Sequence, residues 1–94
     1  MRSMLLALAA MLAIIVVTPT NRAAAQGDAC FQLWVQRNTI YKANGYCFKT
    51  ARAIRYFGNA GCRYDNEAAV PLSPYDRALI AQIRAREREL GCRD

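Results

Sequence analysis

Four cysteines in a chain of 94 residues that has no histidine limit what this sequence can fold into. Cys30, Cys47, Cys62 and Cys92 are widely spaced and include no C-x-x-C pair, so a zinc cluster is a poor reading. An even number of cysteines in a short exported chain reads instead as a disulfide framework. A core this small is marginal without covalent help. The sequence alone allows three pairings. The nested one, Cys47–Cys62 inside Cys30–Cys92, ties both ends together and leaves each bridge beside a helix terminus. By chain-entropy reasoning the inner bridge contributes about 3 kcal/mol and the outer one somewhat more.

Export is read from the first quarter of the chain. Met4 to Val17 is an almost unbroken apolar run behind Arg2, followed by helix-breaking Thr18-Pro19-Thr20 and by the small residues Ala23-Ala24-Ala25. This is the pattern of a secretory signal peptide over residues 1–25, leaving a domain over 26–94 that begins near Gln26. A membrane anchor is the competing reading, but the run is shorter than the roughly 20 residues a bilayer requires. A lipid anchor on Cys30 fits poorly, because Gly27-Asp28-Ala29 is a weak lipobox. The expectation is an exported, periplasmic or extracellular protein with no transmembrane segment in the mature chain. Loss of Arg2 and Arg22 with the signal lowers the formal charge from +6 to +4.

The remainder reads as all-α, a small three-helix, disulfide-stapled domain. Asp28 is a candidate cap for a helix from Ala29 to about Asn44, which Gly45 ends in a left-handed conformation. Cys30, Leu33, Trp34, Ile40 and Tyr41 gather on one face, with Arg37 in the middle of it. Thr50 caps a short second helix through Ala51, Ile54 and Phe57, stopped by Gly58. Asn59 to Leu72 has no periodic pattern. Ser73-Pro74-Tyr75-Asp76 then starts a third helix that runs to Leu90 and stops at Gly91. Leu79, Ile80, Ile83 and Leu90 share its apolar face with Glu87. A buried charge without a partner is too costly, so Arg37 and Glu87 are expected to pair, with Asn38 or Tyr41 hydrogen-bonded to them. That pair reads as an internal strut, or as the polar centre of a ligand site.

The segment Ile40-Tyr41-Lys42-Ala43-Asn44-Gly45-Tyr46-Cys47-Phe48 resembles the YARHG domain, a small exported bacterial module named for a Tyr-Ala-Arg-His-Gly motif. Leu33-Trp34 and Arg37-Asn38 are similar to the family's aromatic and Arg-Asn positions. Leu72-Ser73 followed by Ile80, Ile83 and Glu87 is similar to its C-terminal helix. The resemblance covers Cys30 to about Leu90. Only Tyr41 and Gly45 match the naming motif literally; Lys42, Ala43 and Asn44 replace its Ala, Arg and His, so any chemistry of that Arg and His is absent. The resemblance implies an envelope-associated accessory domain, suspected of binding cell-wall material and without established catalytic activity.

Enzyme chemistry has little to work with, and no catalytic residues, metal ligands or cofactors are assigned. No histidine serves acid–base work, and bridged cysteines leave no thiol. Asp65 and Glu67 are a weak hydrolase pair in a loop, and Ser73 reads as a helix cap. Charge is more informative. No acid lies between Asp28 and Asp65, while Arg37, Lys42, Lys49, Arg52, Arg55 and Arg63 do. Lys49, Arg52 and Arg55 recur at helical spacing on the second helix, near Tyr46 and Tyr56. Cations beside flat aromatic faces suit an anionic polymer of the cell wall or envelope. The bland reading is solubility, which also suits Arg77, Arg84 and Arg88 on a second face of the third helix. Export argues against nucleic acid, and closure of the core argues against membrane-surface binding by the third helix. The functional expectation is a non-catalytic envelope module that binds anionic polymer. The alternative is a protein-interaction module, a partner or inhibitor of an envelope enzyme, using the loop from Asn59 to Leu72.

Overall fold

The computed structural model of the protein describes residues 22–93. Helix α1 spans Arg22–Ala43, α2 Ala51–Phe57 and α3 Pro74–Glu89, with one 3-10 turn at Glu67–Ala69. The fold is all-α: among the described residues there is no strand, and one isolated backbone bridge joins Tyr46 to Tyr64. The expected signal peptide falls mostly in residues 1–21, outside the described residues. No helix among the described residues is long and apolar enough to cross a membrane.

Helix α1 begins earlier than Asp28, which lies inside it rather than at its cap. The cause is local: Arg22-Ala23-Ala24-Ala25-Gln26 are strong helix formers, and only Gly27 interrupts them. The buried stripe of α1 is Trp34, Arg37, Asn38 and Tyr41, at helical spacing, while Leu33 and Ile40 are only half-buried at its edges. Asn38 is tolerated inside because its amide donates to the Trp34 carbonyl at 2.9 Å.

Two helix ends share one geometry. At the end of α1, Tyr46 N–H donates to the Tyr41 carbonyl and Gly45 N–H to that of Lys42, with Gly45 at φ 88°. At the end of α3, Cys92 N–H donates to the Glu87 carbonyl and Gly91 N–H to that of Arg88, with Gly91 at φ 67°. Both are Schellman motifs, in which a left-handed glycine satisfies the last carbonyls and turns the chain back over the helix. At the first, the Tyr41 and Tyr46 rings meet at 5.6 Å. The second delivers Cys92 to its disulfide with Cys30, and Cys47 bonds Cys62 a short way past the first.

Contacts Cys30 to Cys92 and Arg37 to Glu87 run in opposite order along α1 and α3, so the two helices are antiparallel. Trp34, Tyr41, Phe48, Ala53, Val70 and Ile80 form the core between them and the short α2. The caps of α2 and α3 are made by Thr50, which accepts from Ala53 N–H at 3.1 Å, and Ser73, which accepts from Asp76 N–H at 3.0 Å. The segment after α2 is secured by Asn59, whose amide accepts from Phe48 N–H at 2.7 Å and donates to the Phe48 carbonyl at 2.9 Å. A side chain there does the work of a strand pairing.

Arg37 grips Glu87 through two contacts, Nε to Oε1 at 2.7 Å and a terminal nitrogen to Oε2 at 3.1 Å. The residues are only 6% and 9% exposed, so water screens the pair weakly. Removing one partner strands a buried charge, which costs about 3–5 kcal/mol, whereas replacing both with apolar groups of similar volume is far less damaging. Urea unfolding of the oxidised protein is therefore expected to show a large loss for Arg37→Met and for Glu87→Leu. The double variant should lose much less than the sum; additive losses would mean that the two side chains act independently.

Candidate functional site

A cavity of about 330 Å³ opens between α1 and the segment leading into α2. Its size lies at the lower end of the roughly 300–1,000 Å³ usual for small-molecule sites. Trp34, Tyr46 and Phe48 supply aromatic walls, and the buried residues Arg37, Asn38 and Tyr41 line it as well. Lys49 and Arg52 bring exposed cations, Thr50 a hydroxyl and Glu67 the one carboxylate among the lining side chains.

Arg52 is held in a defined pose. Its guanidinium carbon lies 4.1 Å from the Trp34 ring centroid and 5.8 Å from that of Phe31. This cation–π contact holds the guanidinium against the aromatic wall, and Arg52 remains exposed.

Of the residues singled out from sequence, Tyr46, Lys49 and Arg52 line this cavity and Arg55 and Tyr56 do not. Tyr56 packs edge-on against Trp34, Phe31 and Phe57. Lys49 precedes the Thr50 cap and is therefore outside α2, which corrects the expected basic stripe on that helix. Phe48 was missed as a lining residue, and Asn38 was expected only as a partner of the Arg37–Glu87 pair. Helical spacing from Trp34 and Tyr41 carried the signal for Asn38.

Tyr41 faces a different neighbour from the one its sequence position suggested. Its hydroxyl lies near Arg84 and Glu67, close enough for both to act on its ionisation, and Arg84 is ion-paired with Glu67. Arg84 thus ties α3 to the 3-10 turn and does not belong to a free basic face. Glu67 is ion-paired with Arg84, and Asp65 does not line the cavity, so the loop carboxylates are not assembled there as a pair. Tyr41 and Glu67 also line a second cavity, of about 400 Å³, with Asn66, Leu72 and Arg77. Arg77 Nε donates to the Leu72 carbonyl at 3.3 Å.

Burial raises the pKa of Tyr41 above 10.0, with Glu67 pushing the same way and Arg84 opposing. Tyr46 is raised too, by burial first and then by the charge of Glu67. Below pH 10 both phenols are protonated in the folded and the unfolded chain, so their contribution to stability is fully present there. Above it the unfolded chain releases its protons first, and stability falls as pH rises toward the native values. Urea midpoints measured across that alkaline range should decline, and the decline should be shallower in Tyr41→Phe. An unchanged slope in that variant would place the titration elsewhere.

The two disulfides suit an oxidising, extracytoplasmic compartment. Comparison with curated proteins and with solved structures gives no match. A family profile for the YARHG domain matches residues 10–88, most of the chain, including the helix end at Tyr41 to Gly45, the cavity residues and nearly all of α3. The chain belongs to the YARHG domain family.

Proposed function

We propose that this protein is a non-catalytic binding module of the cell envelope, acting in the periplasm or at the cell exterior, and that it takes up anionic wall or envelope polymer in the cavity between α1 and α2. The observation that supports this reading is the convergence of Lys49 and a Trp34-stacked Arg52 on a cavity walled by Tyr46 and Phe48. Cations pair with carboxylate or phosphate, while aromatic faces offer flat contact to sugar rings. Holding Arg52 against Trp34 before the ligand arrives lowers the ordering cost of the contact.

Co-sedimentation of the oxidised protein with purified cell-wall sacculi across a salt series tests it. Binding should be tight at low salt and fall steeply as salt rises, because exposed cations are screened. Lys49→Ala with Arg52→Ala should weaken it by about tenfold or more, the scale of two lost charge-assisted contacts. Arg55→Ala, outside the cavity, should leave it nearly unchanged. No binding at low salt would overturn the proposal. Salt-insensitive capture of an envelope protein through the Asn59 to Leu72 loop would overturn it in favour of a protein-interaction module.

A further inference from the structure

The cavity beside α2 and the cavity beside the start of α3 share two wall residues, Tyr41 and Glu67. They lie on either side of that pair, of which Tyr41 is buried and Glu67 exposed. Each end carries its own cation: Lys49 and Arg52 in the first, Arg77 in the second. Arg77 is exposed and uses Nε on the Leu72 carbonyl, which leaves its terminal nitrogens to donate. Between the cationic ends stands a carboxylate. Glu67 is held by Arg84 yet remains exposed, its side chain 46% accessible, so it still has lone pairs to offer.

We propose that the two cavities are successive subsites of a groove for a linear glycan in which acidic sugars alternate with neutral, hydroxyl- or amide-bearing sugars. This rests on the reading of the first cavity as an anionic-polymer site. The alternation follows from Glu67. An acidic unit lying over it meets a like charge, whereas a neutral unit donates a hydroxyl or amide hydrogen to it. Acidic units fall at Lys49 and Arg52 on one side and at Arg77 on the other. A chain with an acid on every sugar matches both ends and is repelled in the middle; a single acidic sugar fills only one end.

Trp34 is the sole tryptophan of the chain and lines the first cavity, so its fluorescence reports binding directly. The oxidised protein is titrated with hyaluronan oligosaccharides, which carry a carboxylate on every second sugar, from disaccharide to hexasaccharide. Oligogalacturonides of equal length, acidic at every sugar, are the comparison. Affinity for the alternating series should rise about tenfold or more with length, one added charge-assisted contact. Arg77→Ala should abolish that rise, and Arg77→Lys should restore part of it. Glu67→Gln should narrow the preference for the alternating series. A rise with length that survives Arg77→Ala, or no rise at all, would overturn the groove and leave the first cavity as a single site. Failure of every probe while sedimentation with sacculi still depends on Lys49 and Arg52 would overturn the glycan class alone. Failure of both would overturn the underlying reading.

Discussion

The Arg37–Glu87 pair fixes how α1 lies on α3, and most of the fold depends on that register. It joins the second half of α1 to the last turn of α3, in an antiparallel pair whose apolar faces are too narrow to specify an alignment alone, since Trp34, Tyr41, Ile80 and Ile83 leave little else that is large and buried between these two helices. A slip of α3 by one turn would keep much of that hydrophobic contact, but it would separate two buried charges. The pair therefore selects one alignment from several of similar burial. With the register set, Arg84 comes within reach of Tyr41 and Glu67, and Cys92 comes within reach of Cys30.

The two Schellman ends explain which residues of the helix-ending segment have no freedom. Tyr41 occupies the position whose carbonyl receives the returning N–H, and its ring meets the residue that provides it. Gly45 takes a positive φ, and a Cβ there would come within 3.3 Å of the Tyr64 ring. Its carbonyl also accepts from Arg63 and Tyr64 N–H, which ties the loop to the helix end. Lys42, Ala43 and Asn44 lie between these two fixed points; the two Schellman bonds draw only on backbone groups there, to which Asn44 Nδ2 adds a bond to the Ile40 carbonyl at 2.7 Å and Lys42 Nζ one to the Gly58 carbonyl at 3.0 Å. This is why Tyr41 and Gly45 carry the family's naming motif here although the three residues between them differ from it.

Much of the scaffold was legible in the sequence because it is local chemistry. Thr50 and Ser73 cap their helices, Gly45, Gly58 and Gly91 mark helix ends, and charges set centrally on two apolar faces point to each other. The start of α1 was misplaced because Asp28 looks like a cap, whereas the alanine run before it already propagates helix. The site was less legible. Lys49, Arg52 and Arg55 look equivalent along the chain, but only the fold distinguishes an arginine stacked on Trp34 from one that faces solvent. Asn59 and Glu67 reach partners 11 and 17 positions away, Phe48 and Arg84, and no periodic pattern records such contacts.

The cavity itself depends on elements that cannot stand alone. Helix α2 has 7 residues, too few for an isolated helix to persist in water. It is held at its start by the Thr50 cap, at its end by the Asn59 clasp on Phe48, and across both by the Cys47–Cys62 bridge. The outer bridge, by contrast, joins the two long helices far from Lys49 and Arg52 in the chain. The nested disulfides thus divide the molecule by role: the outer one secures the helix pair, and the inner one keeps the wall that carries Lys49 and Arg52 in place against Trp34. A rigid wall matters for a shallow, partly exposed site, because each contact there is weak and an ordering cost of even 1 kcal/mol, on the order of one immobilised side chain, would consume it.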